Sequence, residues 1–205
     1  INYDKNNNDH IGVALHNRRI VYLLAAAKGY LDHFNPDFLF MHGDGGVQHH
    51  AVNVGMLYLW DIPFILAGIY YLLRKSSRFT LVIFVSFLFA PVAASITTGT
   101  PHPVRAIGMV LGLHIFAACG VIFLWEKIML LKNLFVRASI TLIIIFLLLV
   151  NVVYYLHQYY VHTPVEYGYF WEYGYKEALK YEKENESKFD KIIMTYRYDQ
   201  PYIYY

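Results

Sequence analysis

Residues 140–150 read I-T-L-I-I-I-F-L-L-L-V, with Thr141 the only polar side chain in the run. Extended to 138–156, the stretch is long enough to cross a bilayer core, which takes roughly 20 apolar residues in a helix. Working back towards the N-terminus, residues 106–125 and 79–96 each form a block without Asp, Glu, Lys or Arg. A further block, 52–73, is interrupted by Asp61 and Pro63. One such block alone fits a buried helix of a soluble protein. Four in succession, joined by short connectors, predict an all-α multi-pass membrane protein with four transmembrane helices.

Composition agrees. Of 205 residues, 57% are hydrophobic and only 16% are charged, where a soluble domain carries about a quarter charged residues. The mean hydropathy of +0.34 is modest for a membrane protein, so the apolar residues must be gathered into blocks. A net charge of +2, without a basic stripe, excludes nucleic acid as the expected partner. Cys119 is the single cysteine and lies within an apolar block, so no disulfide framework is available. The sequence opens on Ile1 and a polar stretch, and is expected to be the C-terminal part of a longer protein.

Charge in the short connectors sets the predicted orientation. Arg74, Lys75 and Arg78 lie between the first two blocks; Glu126, Lys127, Lys132 and Arg137 lie between the last two. Residues 97–104, between the second and third blocks, contain no Lys or Arg. The positive-inside rule places the two basic connectors in the cytoplasm. The chain then divides into 1–50, an outward-facing interfacial helix and glycine-rich loop; 51–156, the four-helix membrane region; and 157–205, an extracytoplasmic lobe.

The flanking regions have their own texture. Between 11 and 34, Leu15, Leu23, Leu24, Ala27, Leu31 and Phe34 recur at helical spacing. His16, Arg18, Arg19, Lys28 and Asp32 interrupt them too often for a bilayer crossing, which predicts an amphipathic helix lying on membrane lipids. It should end before Asn35-Pro36. Phe38-Leu39-Phe40-Met41 follows as a short apolar anchor, and Gly43, Gly45 and Gly46 mark a turn. After the last block, 171–186 reads as a solvated, charge-paired helix. Residues 191–195 read as a short strand, and Gln200-Pro201-Tyr202 as the opening of another element. A small, truncated α/β lobe is therefore expected, with Asn185-Glu186-Ser187 as a glycosylation sequon on its outer side.

Three constellations carry candidate chemistry. His42, Asp44, His49 and His50 share the glycine-shaped loop; their spacing matches no zinc pattern, and no metal or cofactor is expected. They read either as a polar loop or as substrate contacts. Asp61 lies about nine residues, roughly 13 Å, inside the first block. An ionisable residue at that depth is functional by default, or else satisfies backbone groups freed at Pro63. The third is Pro101-His102-Pro103-Val104-Arg105, a stiff outward loop immediately before a helix. Helix N-termini attract anions and a guanidinium fork suits phosphate; the competing reading is an arginine snorkelling to lipid headgroups.

These residues also carry a resemblance. Phe34-Asn35-Pro36-Asp37-Phe38-Leu39-Phe40, Gly43-Asp44-Gly45, the histidine pair, Gly55-Met56-Leu57-Tyr58-Leu59 and Pro63 resemble bacterial and archaeal membrane glycosyltransferases. That group is the dolichyl-phosphate-mannose protein mannosyltransferase-like set of GT-C architecture. Pro101-His102-Pro103-Val104-Arg105 is similar to its Pro-His-x-x-Arg loop, and segments 173–178 and 200–203 resemble stretches after its last span. Gln48 departs from the pattern, which often has a basic residue there.

The resemblance implies transfer of a sugar from a polyprenyl-phosphate-linked donor to an acceptor on the outer membrane face. It also implies a general-base carboxylate in an upstream loop, so no catalytic residue is assigned within these 205 residues. His102 and Arg105 are the candidates for donor-phosphate recognition, with Asp44, His49 and Asp61 shaping the outward cavity. The rival readings are a non-enzymatic membrane anchor presenting a tyrosine-rich lobe and a lipid-linked sugar transporter.

Overall fold

The computed structural model describes residues 11–12 and 17–194. The described chain is mostly helical. In order, its main helices are α1 (Arg18–Asp32), α2 (Asp61–Lys75), α3 (Arg78–Phe89), α4 (Val92–Ser95), α5 (Ile107–Met129), α6 (Leu134–His157), α7 (Thr163–Glu166) and α8 (Tyr175–Asn185). No strand forms among the described residues. Three segments are long and apolar enough to cross a membrane: Arg78–Ser95, Ile107–Met129 and Leu134–Glu166.

The first apolar block folds differently from expectation. Residues 52–60 run as turns against the wide helical turn Asp37–Met41, through Leu57 N–H to Leu39 O (2.7 Å) and Met56 N–H to Phe38 O (3.4 Å). Helix α2 begins only at Asp61, whose Oδ2 accepts the Tyr58 N–H at 3.0 Å. Pro63 then falls within the first turn, where its missing N–H has no intrahelical partner to lose. Asp61 thus opens a helix rather than interrupting one. The 15 residues of α2 rise about 22 Å.

Helices α2 and α5 pack backbone to backbone. A Cβ added at Gly68 would stand 1.8 Å from Phe116 O, and one at Gly120 would stand 1.8 Å from Phe64 O. Small residues at such crossings let helices approach without side chains between them. Around this contact Ile65, Leu72, Met109, Leu113 and Phe116 form the core with Phe38, Leu39 and Leu57. Helix α3 leans onto the same site through Phe84 and Phe87, with ring centroids 4.9 and 5.2 Å from that of Phe116. Its entry is capped by Ser77, which accepts the Thr80 N–H, and Thr80 Oγ1 donates back to Leu72 O.

Helix α1 has the expected spacing and ends where Asn35-Pro36 requires. Asn17 caps it by accepting the Arg19 N–H at 2.9 Å. Val21, Tyr22, Leu23, Leu24 and Leu31 are exposed, while Gly29 presses on Ser95 O, with only 2.6 Å of room for a Cβ. Helix α6 is capped by Asn133, and none of its 24 residues is buried. Its C-terminal end touches the rest through Tyr154 Oη to Asn53 O (3.4 Å) and an edge contact of Tyr155 on Tyr58. Helix α8 matches the expected solvated helix, and Asn185 of the sequon lies at its last residue. Residues 191–194 of the expected strand are irregular. The rest of that strand, Gln200-Pro201-Tyr202 and Leu15 lie outside the described residues.

The α2–α5 contact yields a stability prediction. Gly68→Ala has no room for its methyl group, and overpacking costs about 1–3 kcal/mol even where side chains can adjust. Here the obstacle is backbone. In thermal unfolding of the detergent-solubilised protein, Gly68→Ala and Gly120→Ala should each lower Tm by several degrees. Gly45→Ala, which meets nothing within 4 Å, should not. Equal Tm values for the three variants would contradict the packing described.

Candidate functional site

The loop after α4 is held from behind by the end of α1. His33 is fully buried, and its Nδ1 lies 2.7 Å from Gly29 O. A carbonyl can only accept, so Nδ1 carries the proton and Nε2 is left to accept. It does so from the backbone N–H of His102, at 3.1 Å. One residue earlier, Asp32 Oδ2 accepts the Thr100 hydroxyl at 3.3 Å. Gly29, Asp32 and His33 thus form a mount for residues 95–102. Pro101 and Pro103 stiffen the loop further, by fixing φ.

In front of this loop lies the glycine-shaped segment. Asp44 Oδ2 accepts the His49 Nδ1–H at 2.8 Å, with the carboxylate 5% exposed. His50 is held between Asp44 O (3.0 Å from Nε2) and Ala51 O (2.9 Å from Nδ1). Gly43 adopts φ +73 beneath the His50 ring, which lies 2.5 Å from where a Cβ would stand. Both the turn and the close approach require glycine. The His49 ring packs on that of His102, with centroids 5.1 Å apart. Among the described residues, Asp44 Oδ1 and His102 Nδ1 are buried without a hydrogen-bond partner, Asp44 Oδ1 lying 3.9 Å from His50 Nε2.

Of the five residues singled out in the sequence, Asp44, His49 and His102 therefore meet in one cluster. Arg105 belongs to the same loop, but its Nη1 folds back to donate to Thr97 Oγ1 (2.8 Å) and Thr98 O (2.9 Å). The side chain is exposed, and the pairing still leaves the guanidinium edge carrying Nη2 for a ligand. Behind it α5 starts without a side-chain cap; the Met109 N–H donates to Ala106 O at 2.8 Å, and the Ile107 and Gly108 amides have no hydrogen-bond partner among the described residues. Asp61 is not in the cluster. It faces His49 across a cavity of about 370 Å³ that also receives Tyr58, His114 and Tyr155.

Comparison of the chain with models of known protein families, with curated proteins and with solved structures finds no match. What the arrangement can do is read from its own chemistry.

Two of these residues escaped the sequence reading. His33 carried no signal beyond its i, i+4 spacing from Gly29. His114 was legible, since an imidazole inside an otherwise apolar span meets the same criterion that drew attention to Asp61. Among the described residues, no three His, Cys, Asp or Glu side chains are grouped to hold a metal ion.

The electrostatics of His102 are asymmetric. Burial disfavours its imidazolium, and the positive charges of Arg105 and His49 add to that effect; Asp44 opposes it. The net direction is downward from the ordinary 6.5, so the ring is predominantly neutral at pH 7. In a titration of ¹⁵N-histidine-labelled protein, the His102 midpoint should lie below 6.5. Arg105→Gln should raise it, because a neighbouring cation is removed, and Asp44→Asn should lower it further. A wild-type midpoint above 6.5 would contradict this account.

Proposed function

We propose that the chain is the C-terminal, membrane-embedded part of a glycosyltransferase that moves a sugar from a polyprenyl-phosphate donor to an acceptor at the outer membrane face. The observation that carries this reading is the mounted loop 97–106. It presents Arg105, next to the uncapped Ile107 and Gly108 amides of α5, at the end of a helix able to cross the bilayer. A diffusible phosphate needs no such placement; a lipid phosphate must be met at the membrane surface. The rigid mount supports a recognition role over a headgroup-snorkelling one, since snorkelling requires a flexible side chain and no fixed loop.

The reading includes four crossings. Helix α2 is the short one, drawn across by its glycine contact with α5 and closed at its basic end by Arg74 and Lys75. The loop 97–106, the exposed apolar face of α1 and the region after His157 then lie outside, and α1 rests on lipid. The outward lobe is read with α8 as its helix. Single cysteines at Lys75 and Thr98, in a Cys119→Ser background, should label from opposite sides of the membrane. Labelling of both by an impermeant reagent outside intact cells would overturn the topology.

The phosphate role is tested at Arg105. A charged hydrogen bond is worth about 1.5–3 kcal/mol, so Arg105→Ala in the intact enzyme should weaken lipid-phosphate donor use roughly tenfold to a hundredfold. Arg105→Lys should recover part of the loss, since it keeps the charge but not the planar fork. Donor saturation kinetics near wild type in both variants would remove the basis for this reading.

A further inference from the structure

The apolar segment that contains α6 is longer than a bilayer is thick. Leu134–Glu166 has 33 residues and would rise about 50 Å as a straight helix, whereas hydrocarbon and headgroup layers together span about 40–45 Å. Arg137 is the last Lys or Arg before Lys176, and a basic residue so placed marks the membrane surface at the start of a span. The roughly 20 residues of one crossing bring the chain from there to His157. At that point α6 gives way to the wide helical turn Gln158–His162, then to α7 and the 3-10 turn Gly168–Trp171. One side of this segment is tied to the protein. Gln158, Thr163 and Gly168 are buried. Thr163 Oγ1 accepts the Val52 N–H at 3.5 Å and donates to Gln158 O at 3.0 Å. The Tyr167 ring stands edge-on to His50, with centroids 6.2 Å apart.

The rest of the segment offers rings and no cation. Tyr160, Val161, Val165, Tyr169, Trp171 and Tyr173 are exposed. Between Arg137 and Lys176 the only Asp, Glu, Lys or Arg residues are Glu166 and Glu172, and Glu166 Oε1 lies 3.0 Å from His162 Nδ1. Apolar surface of this extent is unfavourable in water. The headgroup layer suits it, because Tyr and Trp combine an apolar ring with a polar tip. Helix α8 then reverses the composition, with Lys176, Glu177, Lys180, Lys183 and Glu184, and belongs in water. Continuity with the span identifies what covers the rings: chain leaving lipid at His157 has to pass the headgroups before α8 reaches water. We infer that residues 159–173 lie in the headgroup layer as an aromatic collar, which binds zwitterionic lipid by inserting its rings. Attraction to anionic lipid comes from Lys and Arg near the surface, and the collar has none. The inference needs only the crossing by α6 and stands apart from the glycosyl-transfer reading.

The test uses the full chain in phosphatidylcholine vesicles. With Trp60→Phe and Trp125→Phe, Trp171 is the one tryptophan left. Lipid brominated near the headgroup should quench its fluorescence about twofold more strongly than lipid brominated near the chain terminus. Partial exchange of phosphatidylcholine for phosphatidylglycerol, or added salt, should leave that quenching unchanged. A second measurement keeps all three tryptophans, in case the double variant fails to fold. In a Cys119→Ser background, a nitroxide at Val165→Cys, a position 82% exposed, should meet oxygen more readily than a water-soluble nickel chelate. A nitroxide at Lys180→Cys on α8 should show the reverse. A Val165 label that reads as aqueous as the Lys180 one would overturn the inference. So would a Trp171 shielded from both brominated lipid and aqueous acrylamide, which would assign the face to a protein partner. Quenching that appears only with phosphatidylglycerol would contradict the zwitterionic preference and the collar with it.

Discussion

The backbone contact between Gly68 and Gly120 is the constraint from which the rest of the arrangement follows. With no side chain between them, α2 and α5 approach until each glycine lies against the other helix's carbonyls. That fixes their relative height. Asp61, at the first turn of α2, and His114, near the start of α5, are brought to the same cavity by it. Phe116, one turn before Gly120, becomes the fully buried centre onto which Phe84 and Phe87 of α3 pack. In lipid there is no hydrophobic force between helices, so close packing of this kind has to supply the association.

On that pair the surface carrying the candidate site is assembled from loops that borrow their rigidity from elsewhere. The phosphate-candidate loop is fixed by the imidazole of His33 and the carboxylate of Asp32, both at the end of α1. The glycine-shaped loop is likewise organised by hydrogen bonds from His49 and His50 to Asp44. Buried polar networks of this type specify one arrangement when each member is paired. Here two atoms, Asp44 Oδ1 and His102 Nδ1, lack hydrogen-bond partners among the described residues, and they belong to the carboxylate and one of the two rings that meet at the centre of the site.

Much of the architecture was legible because it depends on local composition. The uninterrupted apolar runs announced α3, α5 and α6, and Asn35-Pro36 announced the end of α1. The block 52–73 was misjudged because hydropathy averages over a window, whereas Asn53, Gly55 and the Asp61–Tyr58 hydrogen bond act residue by residue to delay the helix. Asp44, His49 and His102 were each visible as chemistry. Their meeting was not, since Asp44 and His102 are joined only through the fold. His33 was invisible for a related reason: its function is to accept a backbone N–H from residue 102, and no sequence pattern encodes a partner so distant. The α/β lobe depended on residues 191–205, of which 191–194 show no strand.

Helix α6 has a different relation to its surroundings from every other long helix. It has no buried residue, and its long-range polar and aromatic contacts with the rest are made at one end, by Tyr154 and Tyr155. Its start is joined to α5 through the connector 130–133, and between its two ends its side chains face the surrounding bilayer. Tilt in such a helix responds to hydrocarbon thickness at a cost of fractions of a kcal/mol per ångström of mismatch. Tyr155, at the contacting end of α6, is also a wall of the cavity beside Asp61. A change in the tilt of α6 carries Tyr155 with the helix, and with it one wall of the cavity.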